Sequence, residues 1–161
     1  MEEVLVSGVA LNEGEAKVTI FGVPDRPGVA AKVFKTIADN DINVDMIIQN
    51  KTETAKTDIS FTVMKKDLFR ALPAIRCAAR RVGSKEVGCD KNIAKVSIVG
   101  VGMRSHSGVA STVFGALAKA KINIEMISTS EIKISCVVDG KKGKEAVRVI
   151  HRAFKMGKKK R

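Results

Sequence analysis

The chain repeats itself. Lys17–Val23 matches Lys95–Val101 at an offset of 78, with five identities in seven positions. Gly28–Ile47 then matches Gly108–Ile127 at an offset of 80, with ten identities in twenty. The step in offset places two extra residues in the second copy, between the matched strand and the matched helix. A chain of 161 residues holding two copies of one pattern is constrained to fold as two small units of the same topology.

Each copy predicts the same elements. Val18–Val23 is short and β-branched, a strand. After the turn Pro24–Gly28, apolar residues at 29, 30, 33, 34, 37 and 38 mark one face of a helix, and the second copy repeats them at 109, 110, 113, 114, 117 and 118. Ile42–Ile48 reads as a second strand, Asn50–Lys56 as a polar hairpin loop, and alternating Thr57–Val63 as a third, antiparallel strand. A second helix is expected over roughly 67–81, starting late or kinking at Pro73, and Lys85–Cys89 is a weak fourth strand. The order β-α-β-β-α-β is the ferredoxin-like unit of the α+β class, an antiparallel sheet with helices on one face.

The second copy offers strand Ile93–Val101, helix Gly108–Lys119, strands Ile122–Ser128 and Glu131–Val138, and helix Lys141–Phe154, but no fourth strand. Residues 3–10 read as a strand that belongs to neither copy. They are expected to cross over and complete the second sheet, whose edge would otherwise stay open. The expected domains are 11–92, and 93–161 with strand 3–10.

Composition narrows the function classes. Apolar residues make up 45% of the chain, which excludes wholesale disorder. Lys plus Arg is 29 against 17 acidic residues, a net charge of +12, which raises a polyanionic partner. Ten of those basic residues, against two acidic ones, fall between Asp139 and Arg161, so most of the excess is a C-terminal helix and a solvated tail. There is no Trp or Tyr, and the strands offer only Phe21 and Phe61, too little for a base-stacking platform, so a nucleic-acid partner is not expected. No apolar run approaches the length of about 18 residues that spans a membrane, and no membrane partner is expected. Cys77, Cys89 and Cys136 form no Cys-x-x-Cys pair and read as reduced thiols of a cytoplasmic protein, with no signal peptide after Met1-Glu2-Glu3. His106 and His151 are the only histidines and fit no zinc or triad pattern. Gly100-Val101-Gly102 carries Ser105 where a dinucleotide fingerprint needs its third glycine. Neither catalysis nor a metal or cofactor is expected of this chain.

The chemistry concentrates in the turn before the first helix of each copy. It is Asp25-Arg26-Pro27-Gly28 in the first and Met103-Arg104-Ser105-His106-Ser107-Gly108 in the second. Free backbone N–H groups and the positive end of the helix dipole favour a carboxylate or phosphate there, and glycine allows close approach. Taken alone, the same segments read more readily as tight turns with helix caps, Ser105 or Ser107 capping and Pro27 at an early helical position. Asn43 and Asn123 recur at the start of the second strand, where an amide needs partners, either from the adjacent loop or from a ligand.

The strand, Asp25-x-Pro27-Gly28, the apolar helix and Ile42-Asn43-Val44-Asp45-Met46-Ile47 together resemble the ACT domain. The tandem arrangement, with Ile127-Ser128-Thr129-Ser130-Glu131-Ile132, resembles the C-terminal regulatory region of aspartate kinase over nearly the whole chain. The chain departs from that pattern at Ser107, where proline is expected, in the short Lys51–Lys56 loop and in the basic tail. The kinase catalytic domain has no counterpart in this sequence, so the resemblance implies the β subunit of an α2β2 aspartokinase or an excised regulatory fragment, without catalysis of its own. It implies a homodimer through ACT domains, a catalytic α-subunit partner, and feedback sensing of threonine and/or lysine where ACT domains of two chains pack side by side. In the first copy, the turn from Asp25 through Arg26 and Pro27 would present the backbone N–H groups of Gly28, Val29 and Ala30 to the effector carboxylate, with Asp25 taking its ammonium. Gln49 would bond the effector from the strand end, and Ile127 and Thr129 of a facing domain would close the pocket. In the second copy Met103, Ser105, His106, Gly108 and Val109 form the matching loop, with Ser130 and Glu131 reaching an ammonium. The alternatives are a tandem ACT sensor serving another enzyme or regulator, and an RNA-binding module on the same architecture.

Overall fold

The duplicated pattern builds two four-stranded antiparallel sheets. The structure is a computed structural model that describes residues 5–101 and 106–157. Its elements are β1 (Leu5–Asn12), β2 (Glu15–Pro24), α1 (Val29–Asp39), β3 (Val44–Lys51), β4 (Lys56–Met64), α2 (Leu68–Arg81) and β5 (Glu86–Asp90). There follow β6 (Ile93–Val101), α3 (His106–Lys119), β7 (Met126–Thr129), β8 (Lys133–Asp139) and α4 (Gly143–Gly157). A 3-10 turn leads into each second helix, Lys65–Asp67 before α2 and Gly140–Lys142 before α4. One unit runs from Gly14 to Lys91, and the other joins the residues up to Glu13 to those from Asn92 onward.

In the first unit the strand order is β3-β4-β2-β5, every pair antiparallel. Val29, Val33 and Ile37 of α1 are buried against Val18, Ile20, Ile59 and Phe61 of the sheet and Leu68, Ala71, Ile75 and Ala78 of α2. Burying each large aliphatic side chain contributes about 1.5–3 kcal/mol. Phe34 adds an edge-to-face contact with Phe61, ring centroids 5.6 Å apart. Ala38 and its counterpart Ala118, expected on the buried helical face, are exposed, since they lie past the edge of the stripes set by positions 29, 33, 37 and 109, 113, 117. Helix α2 does not start late: it runs from Leu68 with Pro73 inside it. The proline leaves the Phe69 carbonyl without an amide donor, and Phe69 is 95% exposed, so water can serve that carbonyl.

In the second unit the order is β1-β6-β8-β7. β1 pairs antiparallel with β6 from Leu5 opposite Val101 to Asn12 opposite Lys95, with an irregularity between Val6 and Gly8. It thus takes the place that β5 takes beside β2, as the missing fourth strand requires. Val9 and Leu11 of β1 pack on the core of Val96, Ile98, Val113, Leu117, Ile134, Cys136 and Ile150. Helix α4 packs on β1 and β6 at close range, and a Cβ on Gly143 would stand 2.6 Å from that of Ala94.

α1 and α3 end alike. Ile42 N–H donates to the Ile37 carbonyl at 3.4 Å and Asp41 N–H to Ala38 at 3.0 Å, while Ile122 N–H donates to Leu117 at 2.9 Å and Lys121 N–H to Ala118 at 3.0 Å. These are Schellman turns, with Asp41 (φ 53) and Lys121 (φ 59) in the left-handed position. The turns use up residues that the periodicity assigns to strands. Asn43 and Asn123 therefore precede β3 and β7 rather than beginning them, and both are exposed, so neither amide needs a buried partner.

Candidate functional site

The end of the first sheet is shaped by a bulge in β2. Ile20 faces Ile59 and Val23 faces Thr57, so β2 has one more residue in this stretch than β4. Gly22 (φ 61) sits in the bulge, and its N–H donates to Asp58 Oδ1 at 2.9 Å. The turn that follows is tied to the β3–β4 hairpin, with Asp25 N–H donating to the Ala55 carbonyl at 3.1 Å. Val29 N–H donates to the Arg26 carbonyl at 3.3 Å, and Gly28 is the N-cap of α1 with φ 89 and ψ −12. No side-chain hydrogen bond caps this helix start, so the positive end of its dipole has no side-chain acceptor on it. Pro27 precedes the cap and is not an early helical residue, contrary to the capped-turn expectation.

β3 brings two side chains to this end. Gln49 lies opposite Ile59 and Lys51 opposite Thr57, while Thr57, 1% exposed, lies opposite Val23 on its other side. Gln49 Nε2 donates to Thr57 Oγ1 at 3.3 Å, and Lys51 Nζ stands 3.5 Å from Asp25 Oδ2. Asp25, Gln49, the hairpin and the open start of α1 thus gather in one place. Sequence reasoning passed over Lys51 by treating 50–56 as loop, and placed Thr57 in the third strand without a role at the site. The two-residue spacing from Gln49, which puts Lys51 on the same strand face, was the available signal.

The other expected residues are distributed as follows. Arg26, Pro27 and Gly28 are exposed, and Ala30 is half-buried. Val29 and Val109 are buried in their cores, so their side chains face no ligand, and the Val29 N–H is engaged by the Arg26 carbonyl. Gly108 is exposed in α3, which opens at His106. Met103, Ser105 and the side chain of His106 lie outside the described residues. Ile127 and Thr129 are exposed on β7, an edge strand, and Ser130 and Glu131 are exposed in the turn to β8, closed by Ser130 N–H donating to the Lys133 carbonyl at 2.8 Å. Phe61 is buried, so of the two strand aromatics only Phe21 reaches solvent. Among the described residues no cluster of His, Cys, Asp and Glu could hold a metal ion, and no helix is long and apolar enough to cross a membrane.

The ACT-domain family pattern matches residues 18–78 and 96–154, one match in each unit. The chain belongs to the ACT-domain family. It is similar to the regulatory subunit of aspartate kinase from Thermus thermophilus, 42% identical with a TM-score of 0.87, covering 93% of this chain and 99% of that one. A crystal structure of aspartokinase alpha and beta subunits includes a chain 45% identical, with a TM-score of 0.86 over 93% of this chain and 99% of that one. The aspartokinase of Pseudomonas aeruginosa is 53% identical over 156 residues, 97% of this chain. The ACT pair spans 38% of the length of that relative. This ACT pair is of the aspartokinase regulatory kind.

Proposed function

We propose that this ACT pair is a non-catalytic regulatory subunit or region of aspartate kinase that binds end-product amino acids, threonine and/or lysine, and transmits feedback inhibition in the cytoplasm. The observation that carries the reading is the gathering of Asp25, Gln49 and the uncapped start of α1 at one end of the first sheet. Those groups match an amino acid: amides and dipole for its carboxylate, the Asp25 carboxylate for its ammonium, and the Gln49 amide for a third polar group. The sites lie where ACT domains of two chains pack side by side. Exposed Ile47 on edge strand β3 and Ile127 on edge strand β7 favour such packing. Inhibition is then linkage: an effector that prefers one packing arrangement shifts the catalytic partner toward the state that goes with it.

Isothermal titration of the purified chain with L-threonine and L-lysine, singly and together and with L-aspartate as control, tests this. Saturable binding at about one or two sites per chain is expected, with the first site lost in Asp25→Ala. Absence of binding by either amino acid would overturn the reading.

A further inference from the structure

We propose that Lys51 is a built-in competitor for the first unit's amino-acid site, holding Asp25 while the site is empty and disfavouring cationic effectors once displaced. The inference rests on the functional reading above. Lys51 is the last residue of β3, opposite the buried Thr57, and its Nζ stands 3.5 Å from Asp25 Oδ2. This is the carboxylate assigned to the effector's ammonium, so Lys51 and the effector contend for one partner. The Asp25 backbone is fixed independently by its N–H bond to Ala55, so the carboxylate can exchange cations without moving the turn.

The pair is made to yield. The lysine side chain is 77% exposed and the aspartate side chain 33%, and exposed pairs of this kind contribute little. A ligand that brings its own ammonium and also satisfies the α1 amides therefore displaces it. The freed Lys51 ammonium remains tethered beside the site. It adds no repulsion against the uncharged side chain of threonine and repels the side-chain ammonium of lysine.

The test compares wild type, Lys51→Met and Lys51→Arg by titration with L-threonine and L-lysine at low and high salt. The first-unit site is identified as the binding lost in Asp25→Ala. Lys51→Met should bind threonine about two- to fivefold more tightly and gain more for lysine. Lys51→Arg should behave as wild type, and the gain should shrink as salt screens the wild-type pair. Unchanged or weaker binding by Lys51→Met, with wild type binding normally, overturns the competitor role and leaves the site reading intact. No binding of either amino acid by any of these proteins overturns both.

Discussion

Ser97 Oγ and Ser135 Oγ lie 3.0 Å apart across the β6–β8 ladder, where the first unit sets Thr19 Oγ1 2.9 Å from Ser60 Oγ across β2–β4. The duplication has thus kept a cross-strand hydroxyl pair on both central strand pairs. Ser97 and Ser135 are buried, so removing one hydroxyl leaves the other without this partner. Ser97→Ala and Ser135→Ala should each cost about 1–2 kcal/mol. The double variant should cost clearly less than the sum, because no orphan remains. Urea denaturation of the three variants checks this, and strict additivity would refute the pairing.

Cys136 gives a pH dependence with a definite sign. It is fully buried in the second core, and burial pushes its thiol from 9.0 up to about 11. Below pH 9 both folded and unfolded states keep the proton, and the contribution to stability is fully present. Between pH 9 and about 11 the unfolded thiol ionises and the folded one does not, so stability falls as pH rises. The full loss is about 2–3 kcal/mol. Denaturation midpoints from pH 8 to 11 should fall less steeply in Cys136→Ala than in wild type, and equal slopes would refute the assignment.

The fold was legible because the duplication doubled every signal. The missing fourth strand of the second copy and the spare N-terminal strand together implied the crossover of β1, which the pairing of Leu5–Asn12 with β6 realises. Element ends were not legible. The Schellman turns put Asp41 and Lys121 in a left-handed conformation that their side chains do not announce, and so shifted Asn43 and Asn123 out of the strands. The irregularity between Val44 and Ile47, where β3 gains a residue on β4, has no sequence mark either. Of the candidate site, Asp25, Gly28 and Gln49 were named from turn chemistry and the family resemblance. Lys51 was hidden by a polar run that reads as loop, although three of its seven residues are strand ends.

The helix ends predict opposite effects for opposite substitutions. Lys121 holds φ 59 at the end of α3, a conformation that glycine adopts without cost from a Cβ, so Lys121→Gly should raise stability by up to about 1 kcal/mol. Gly83 holds φ 87 at the end of α2, where its N–H donates to the Arg80 carbonyl at 3.1 Å and Ser84 N–H to Ala79 at 2.9 Å. Gly83→Ala should lower stability by about 1 kcal/mol or more. Thermal melts of the two variants decide it, and a destabilised Lys121→Gly would mean that its side chain contributes more than the backbone strain removes.

The exposed isoleucines test the proposed side-by-side packing. Ile47 is 52% exposed on β3 and Ile127 is 41% exposed on β7, each on an edge strand of its own sheet. An open edge with an apolar side chain invites pairing with another chain, and a lysine on such an edge blocks it. Ile47→Lys and Ile127→Lys should leave the monomer fold intact, since neither residue belongs to a core. If a homodimer forms through these edges, burying each isoleucine contributes about 1.5–3 kcal/mol, so either variant should weaken self-association by about tenfold or more. Sedimentation velocity over a concentration series, with and without threonine and lysine, reads this directly. A wild-type chain that stays monomeric under every condition, or variants that associate as wild type does, would remove the edges from the interface.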